Sequence, residues 1–346
     1  MTSSSSPPRT MSGNRQWRLA ARPVGNIRSS DFELVEAPIP EPGEGEFVVA
    51  VTHISLDPAM RGWMNAGRSY IPPVEIGDVM RALTLGVVIS SRNNGFAEGD
   101  RVQGTFGVQE YALSDGAGTY KITPVNGQSL AAYLGVLGMT GMTAYFGLLD
   151  VGRLQPGETV LVSGAAGAVG TTVGQIAKIK GAKVVGIAGG SKKSSMLVDE
   201  LGFDGVVDYK QGDLRDQLRR HTPDFVDVFF DNVGGEILNQ GLARLARGAR
   251  VVICGAVSQY NNAEAVAGPS NYMNLLVTRG SMTGFVVFDY VERYPEAVAD
   301  MSRWLTDGRL RSIEDTVCGG IDTFPGMLAR LFTGENTGKL VLELQR

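Results

Sequence analysis

The apolar positions fall into two regimes along the chain. Up to about residue 120 they come as short runs broken by Gly and Pro, with no long helical stretch between them. Residues 46–52 (EFVVAVT) and 83–90 (LTLGVVIS) read as strands, as does the segment entered through Glu98-Gly99-Asp100-Arg101-Val102 and then 109–113. Pro42-Gly43-Glu44-Gly45 supplies turn chemistry before the first of them. Closely spaced short strands with such punctuation predict a small barrel-like β domain.

From about residue 129 the pattern changes. Residues 129–137 and 138–151 are expected to be helices. Strand and helix then alternate: strands at 159–163, 182–187, 206–209, 225–231 and 249–254, and helices at 167–180, 192–201, 212–221 and 235–245. Another helix is expected at 290–305. Regular βα alternation predicts an α/β fold, a doubly wound parallel sheet with helices on both faces. A helix at 324–332 and a strand at 339–344 do not continue that run. They send the C-terminus back to the first domain, with a binding cleft between the two.

Composition narrows the classes. A chain of 346 residues exceeds what one core usually supports, which favours two domains. A net charge of −4 with no basic stripe argues against a nucleic-acid surface. No run of about 18 apolar residues exists, so no membrane span is expected. Residues 1–16 are Ser-, Pro- and Arg-rich without an apolar core, which predicts a disordered tail and not a secretory signal; Met11 is a second candidate start. Two cysteines make no disulfide framework, and a reducing cytoplasm is the natural compartment.

The strand at 159–163 runs into Gly164-Ala165-Ala166-Gly167-Ala168-Val169-Gly170, and a helix follows at once. A glycine-rich turn between a buried strand and a helix start presents backbone N–H groups to an anion. Ala166, Gly167, Ala168 and Val169 are its dinucleotide-binding candidates, and Gly170 lets the helix pack closely on the strand. An NAD site would place a carboxylate about 20 residues further on. Here Ala188-Gly189-Gly190-Ser191-Lys192-Lys193 stands instead, so Ser191, Lys192 and Lys193 predict NADPH, against the plainer reading of two solvated lysines, and Gly189 is a further cofactor-binding candidate. Zinc needs three or four converging ligands. His53, His221, Cys254 and Cys318 are the only histidines and cysteines, and no C-x₂-C lobe exists. No metal is expected, which leaves hydride chemistry that needs position and a hydrogen-bond donor.

Several segments together resemble one family. They are Leu56-Asp57-Pro58-Ala59-Met60-Arg61, residues 135–148 (GVLGMTGMTAYFGL), 165–170, Asp231-Asn232-Val233-Gly234-Gly235, 254–261 (CGAVSQYN) and 334–339 (GENTGK). The chain resembles the zinc-independent medium-chain dehydrogenases/reductases. Within them it is similar to the branch of leukotriene B4 12-hydroxydehydrogenase/prostaglandin reductase, plant double-bond reductases and bacterial NADPH-dependent curcumin reductase. The last is favoured by Arg68-Ser69-Tyr70 and Pro72-Pro73.

That likeness implies a GroES-like domain at 17–133 plus 318–346 and a Rossmann domain at 134–317. It implies reduction of the C=C bond of an enal or enone substrate by hydride transfer from NADPH to the β-carbon. Asn232 would lie near the cofactor; Cys254, Gly255, Ala256, Ser258 and Tyr260 would line the nicotinamide side; and Phe285, Val286 and Val287 would back it. Asn336 would reach in from the C-terminal segment, Lys193 would meet the 2′-phosphate and Tyr209 the adenosine end. Ala59 and Thr337 replace a Tyr and a Phe frequent in the family, which suggests a wider or wetter pocket.

A donor must stabilise the enolate oxygen. Tyr260 is the first choice and Tyr70 the second, each with the alternative of being an aromatic wall; the ribose hydroxyl or water could serve instead. His53 reads as a core or cleft-edge residue and Cys254 as a small apolar one. Arg61 is expected to pair with a carboxylate or touch substrate, Asp57-Pro58 to shape the cleft floor, and Met139 and Met142 to pack helices. A quinone reductase is the rival enzyme. An NADPH-binding structural or RNA-binding protein like the ζ-crystallin relatives is the rival of another class, which the acidic balance opposes. Relatives pair Rossmann sheets edge to edge, so a homodimer through an edge strand at 277–287 is expected by analogy.

Overall fold

The computed structural model describes residues 13–125 and 127–345. Strands β1 (Asn14–Leu19) and β2 (Phe32–Ala37) pair antiparallel. β3 (Phe47–Ser55) is followed by the short helix α1 (Ala59–Trp63), then β4 (Thr84–Ser91), β5 (Arg101–Gly104), β6 (Tyr111–Ser114) and β7 (Tyr120–Lys121). Residues 14–16, expected in the tail, therefore belong to a strand, and the rest of the expected tail, apart from Gly13, lies outside the described residues.

The helical stretch expected at 129–137 is only a 3₁₀ turn at Leu130–Tyr133. Glycines break it: a Cβ on Gly138 would lie 2.2 Å from the Tyr133 carbonyl oxygen. Helix α2 (Met139–Phe146) follows and ends in a π turn at Gly147–Val151. The alternation then runs β8 (Thr159–Ser163), α3 (Ala168–Ile179), β9 (Lys183–Ala188), α4 (Ser191–Ser195) with a π turn at Met196–Glu200, β10 (Gly205–Asp208), α5 (Leu214–His221), β11 (Val226–Asp231), α6 (Gly235–Leu242) and β12 (Leu245–Ile253). Next come α7 (Asn274–Thr278), β13 (Ser281–Gly284), α8 (Tyr294–Thr306), β14 (Glu314–Gly319), α9 (Phe324–Thr333) and β15 (Lys339–Leu344).

Six parallel strands form one sheet in the order β10-β9-β8-β11-β12-β13. This is the doubly wound topology whose strand order reverses beside β8, where such folds bind dinucleotides. β8 is buried at every position, as a central strand covered on both faces must be. One core packs α2, α3 and α8 on one face, with Phe146, Val160, Ile176 and Trp304; the other face holds Leu161, Phe229 and Leu242. Gly174 on α3 makes the first face possible, because a Cβ there would stand 1.9 Å from the Phe203 ring.

The second sheet runs β14-β15-β3-β4-β5-β7, with β6 also paired to β3. Its core holds Phe47, Trp63, Phe324 and Leu342. β14 was not anticipated. It spans the expected boundary at 317/318 and pairs parallel with β15, so the chain has rejoined this sheet by Glu314. The edge of the parallel sheet is shorter than the expected 277–287: the strand is Ser281–Gly284, and residues 277 and 278 belong to α7. The helix expected at 290–305 starts at Tyr294, with Pro295 in its first turn.

Candidate functional site

A cleft with a cavity of about 500 Å³ opens between the two sheets. That lies within the usual range for small-molecule sites. It is built around the turn after β8. Gly164 sits at φ +58°, and Gly170 must be glycine, because a Cβ there would lie 2.3 Å from the Gly164 carbonyl oxygen. No side chain caps α3, whose N-cap is Gly167. Its first N–H groups therefore face the cavity without an intrahelical partner, as a diphosphate requires. Ala166, Gly167, Ala168 and Val169 all border the cavity.

The C-terminal segment closes over this turn. The Gly338 N–H donates to the Ala166 carbonyl (2.8 Å), and Gly338 forms a bridge with Gly167. Asn336 borders the cavity, and its amide donates to the Gly338 carbonyl (3.2 Å). At the end of β9, Gly189 lies under Tyr209: a Cβ on Gly189 would stand 2.8 Å from the Tyr209 ring. Lys193 borders the same end and donates to the Gly334 carbonyl (2.9 Å), which leaves two ammonium hydrogens free of that bond. Burial pushes its pKa down, and the neighbouring Lys210 pushes the same way. A second lysine thus adds positive potential where a 2′-phosphate would sit. Sequence reasoning missed Lys210, although it follows Tyr209 directly. Ser191 was expected here; it is exposed at the start of α4 and does not border the cavity.

Beyond β11 the loop is locked by a buried carboxylate. Asp231 accepts from Ser163 Oγ (2.6 Å) and from the Gly234 N–H (3.0 Å). Ser163 Oγ in turn accepts the Asn232 N–H (2.8 Å), and the Asn232 amide donates to the Ser163 carbonyl (2.7 Å). This network fixes Asn232 beside the glycine turn. Cys254 stands at the end of β12, and its thiol is pushed up to about 12 by burial and then by Asp231. It is a protonated, apolar neighbour. Phe285 is held against Phe230, with ring centroids 6.4 Å apart, and Phe285, Val286 and Val287 all border the cavity.

The loop after Cys254 folds back on itself. The Ala256 N–H donates to Tyr260 Oη (3.2 Å), and a Cβ on Gly255 would lie 2.8 Å from that hydroxyl. Ala256 was expected to border the cofactor; it does not border the cavity, and its N–H instead positions Tyr260. Gly255, Ser258 and Tyr260 do border it. Burial is the main cause that pushes the Tyr260 pKa up, so the hydroxyl keeps its proton at neutral pH. Its oxygen accepts the Ala256 N–H, and among the described residues no hydrogen bond engages the hydroxyl proton, which leaves it for a ligand. Tyr70 also borders the cavity, its Oη accepting from Trp63 Nε1 (3.2 Å) and its ring 6.3 Å from that of Phe288. It is 56% exposed, far more open than Tyr260.

Other residues resolve differently from expectation. Arg61 neither pairs with a carboxylate through a hydrogen bond nor borders the cavity; it donates to the Pro23 and Gly25 carbonyls and to Asn65. His53 is buried, with Nδ1 2.9 Å from Thr52 Oγ1, and does not border the cavity. Ala59 does border it and Thr337 does not. Met142 is core, while Met139 borders the cavity. Leu56, Thr140 and Lys339, which lie in the family-like segments but were given no role, line it too, as does Phe288, which nothing in the sequence marked. Among the described residues no group of three or more His, Cys, Asp or Glu could hold a metal.

The fold and cleft define a two-domain nucleotide-dependent oxidoreductase. Residues 15–122 match the family profile described as the N-terminal domain of oxidoreductase, and residues 168–303 match that described as zinc-binding dehydrogenase. The NADPH-dependent curcumin reductase of Escherichia coli (strain K12) is 39% identical over 336 residues, which is 96% of this chain and 97% of that protein. The 2-alkenal reductase (NADP(+)-dependent) of Nicotiana tabacum is 37% identical over 339 residues, 96% and 98% of the two chains. The crystal structure of CurA in complex with NADPH from Vibrio vulnificus superposes with a TM-score of 0.91 at 40% identity, covering 96% of this chain and 99% of that one. The chain belongs to the medium-chain dehydrogenase/reductase family, in its branch of NADPH-dependent enone and alkenal reductases.

Proposed function

We propose that this protein uses NADPH to reduce the C=C bond of α,β-unsaturated aldehydes and ketones. The observation that carries the reading is a protonated, cavity-facing Tyr260 whose hydroxyl oxygen is already occupied by the Ala256 N–H. The named activities of the curcumin and 2-alkenal reductases, and the NADPH bound in the CurA structure, support it.

The geometry supports the following residue roles. The uncapped start of α3 and the turn through Ala166–Val169 take the diphosphate, and Lys193, with Lys210 beside it, takes the 2′-phosphate. Asn232, the end of β12 and Phe285 to Val287 form the nicotinamide end. The chemistry supplied there, once the cofactor is bound, is a hydride for the substrate β-carbon. Tyr260 donates a hydrogen bond to the carbonyl oxygen and so stabilises the enolate. A tyrosine with a raised pKa is a donor and not a base at neutral pH. Tyr70 is the second donor, on the open side of the cleft. Apolar walls of Leu56, Met139 and Phe288 exclude water from the reacting carbons, and Ala59 leaves room there for a bulky substrate.

We also propose a homodimer. The β13 edge is exposed at all four positions, and the adjoining α7 exposes Leu276 (70%) and Val277 (67%). An open edge beside an apolar patch is a self-pairing surface. Unpaired Cys254 and Cys318 suit a reducing cytoplasm.

The test is NADPH oxidation followed at the reduced-nicotinamide band with a 2-alkenal, an enone, curcumin and a simple quinone in turn. Turnover with the first three, and much slower turnover with NADH, is expected. Turnover with the quinone alone would make the protein a quinone reductase.

A further inference from the structure

At the floor of the cleft, Lys339 Nζ lies 2.6 Å from Asp57 Oδ1. Among the described residues this is the ion pair with both side chains buried, 2% and 5% exposed; the next most buried, Arg250–Glu158, is at 13% and 20%. Lys339 also donates to the Leu56 carbonyl (2.9 Å), and Ser55 Oγ donates to the other oxygen of Asp57. Burying two charges is costly, and replacing a buried pair by apolar residues of similar volume is commonly neutral or stabilising. Stability is therefore a poor reason for this pair.

Its placement supplies a better one. Lys339 begins β15, directly after Gly338, whose N–H binds the Ala166 carbonyl over the phosphate turn. That segment has no slack, since Gly338 is at φ +69° and a Cβ there would lie 2.1 Å from the Ile313 carbonyl oxygen. Asp57 stands two residues past the end of β3 and leads into Pro58-Ala59, which border the cavity with Leu56. The Leu56 N–H is itself bound to the Leu340 carbonyl (3.1 Å). The pair thus joins the segment that covers the cofactor turn to the loop that floors the substrate side.

We propose that the Lys339–Asp57 pair, held by Ser55, is a positioning device that fixes the substrate floor against the cofactor segment. Apolar packing could fill the same space. The β3–β15 ladder and the Leu56–Leu340 bond register the strands up to this point, and the ammonium extends that directional control past the end of β3, to Asp57 Oδ1 and the Leu56 carbonyl. Lys339 and Asp57 both border the cavity, and their role here is positioning, through the two segments they join. A misplacement of about 1 Å can cost on the order of 10² in rate. The proposal rests on the enone-reductase reading.

The test compares the parent with K339M/D57L, which leaves no orphaned charge, and with S55A, which keeps both charges and loosens the carboxylate. Thermal midpoint, NADPH affinity by fluorescence titration, and kcat and KM for one 2-alkenal are measured for each. The expected result is a double variant as heat-stable as the parent that binds NADPH within about threefold, with kcat down about tenfold or more. S55A should lose kcat in the same direction, by less. Parent-like kcat in both variants would overturn the proposal and leave the reductase reading intact. A double variant that melts far below the parent, while S55A keeps full kcat, would show a structural strut and overturn it as well. A parent that turns over no enone would sink the reductase reading and the proposal with it.

Discussion

Replacing Tyr260 by Phe removes one oxygen from the cavity and little else. A donor aimed at a developing oxyanion inside a dry site is worth about 2.7–4 kcal/mol, or about 10²–10³ in kcat. The cleft is partly open, which places the expectation near the lower end, about 10². The fold should tolerate the change. The Ala256 N–H loses its acceptor at 3.2 Å, but its loop is not fully buried and water can replace the bond, so the loss of stability stays within about 1 kcal/mol. NADPH oxidation with saturating 2-alkenal gives kcat, and fluorescence titration gives NADPH affinity separately. A fall of about 10² in kcat with nearly unchanged NADPH affinity is expected. G255A provides an independent route to the same group, because its Cβ would lie 2.8 Å from the hydroxyl and push it away. If G255A acts through Tyr260, it adds little to Y260F in the double variant. A Y260F enzyme within about twofold of the parent kcat would refute the assignment and pass the donor role to Tyr70, the ribose hydroxyl or water.

K193A should weaken NADPH binding by roughly 10- to 100-fold, the value of a charge-assisted hydrogen bond of about 1.5–3 kcal/mol, and leave NADH binding nearly unchanged; paired titrations check this. L276D places a charge on the exposed apolar α7 face and should shift the protein from dimer to monomer in light scattering, with the fold kept by circular dichroism. His53 and His221 are both held below their ordinary pKa by burial, so below about pH 6.5 the unfolded chain binds protons that the folded chain refuses. Their contribution is absent above that pH and destabilises as pH falls towards the folded pKa values, by up to about 1.4 kcal/mol per pH unit for each group. Asp231, raised by burial, acts in the opposite sense at lower pH. The denaturant midpoint should therefore fall between pH 7.5 and 5.5, and less steeply in H53Q.

The parallel sheet was legible because its strands are short continuous apolar runs separated by amphipathic stretches, and β8 and β11 emerge close to their expected bounds. The phosphate turn was legible for a related reason: strand, glycines and helix start are contiguous in sequence. What escaped depends on distant partners. β14 carries mixed burial and is a strand only because β15 lies beside it. β1 and β2 depend on each other in the same way. Spacing did not separate Lys193, which α4 presents to the cleft, from Ser191, which stands exposed outside the cavity lining. Ala256 looked like a cofactor contact, whereas the loop folds back and spends its N–H on Tyr260. The Lys339–Asp57 pair joins residues 282 positions apart, a contact that no local pattern announces.

The most direct test of C=C reduction is to follow the hydride itself. The enzyme is supplied with NADPH deuterated at the transferable C4 position and an unlabelled enone, and the product is examined by NMR. The account predicts a saturated ketone with deuterium on the former β-carbon. Deuterium on the carbonyl carbon of an allylic alcohol would contradict it, because the chain would then be a carbonyl reductase with a different placement of substrate in the cleft.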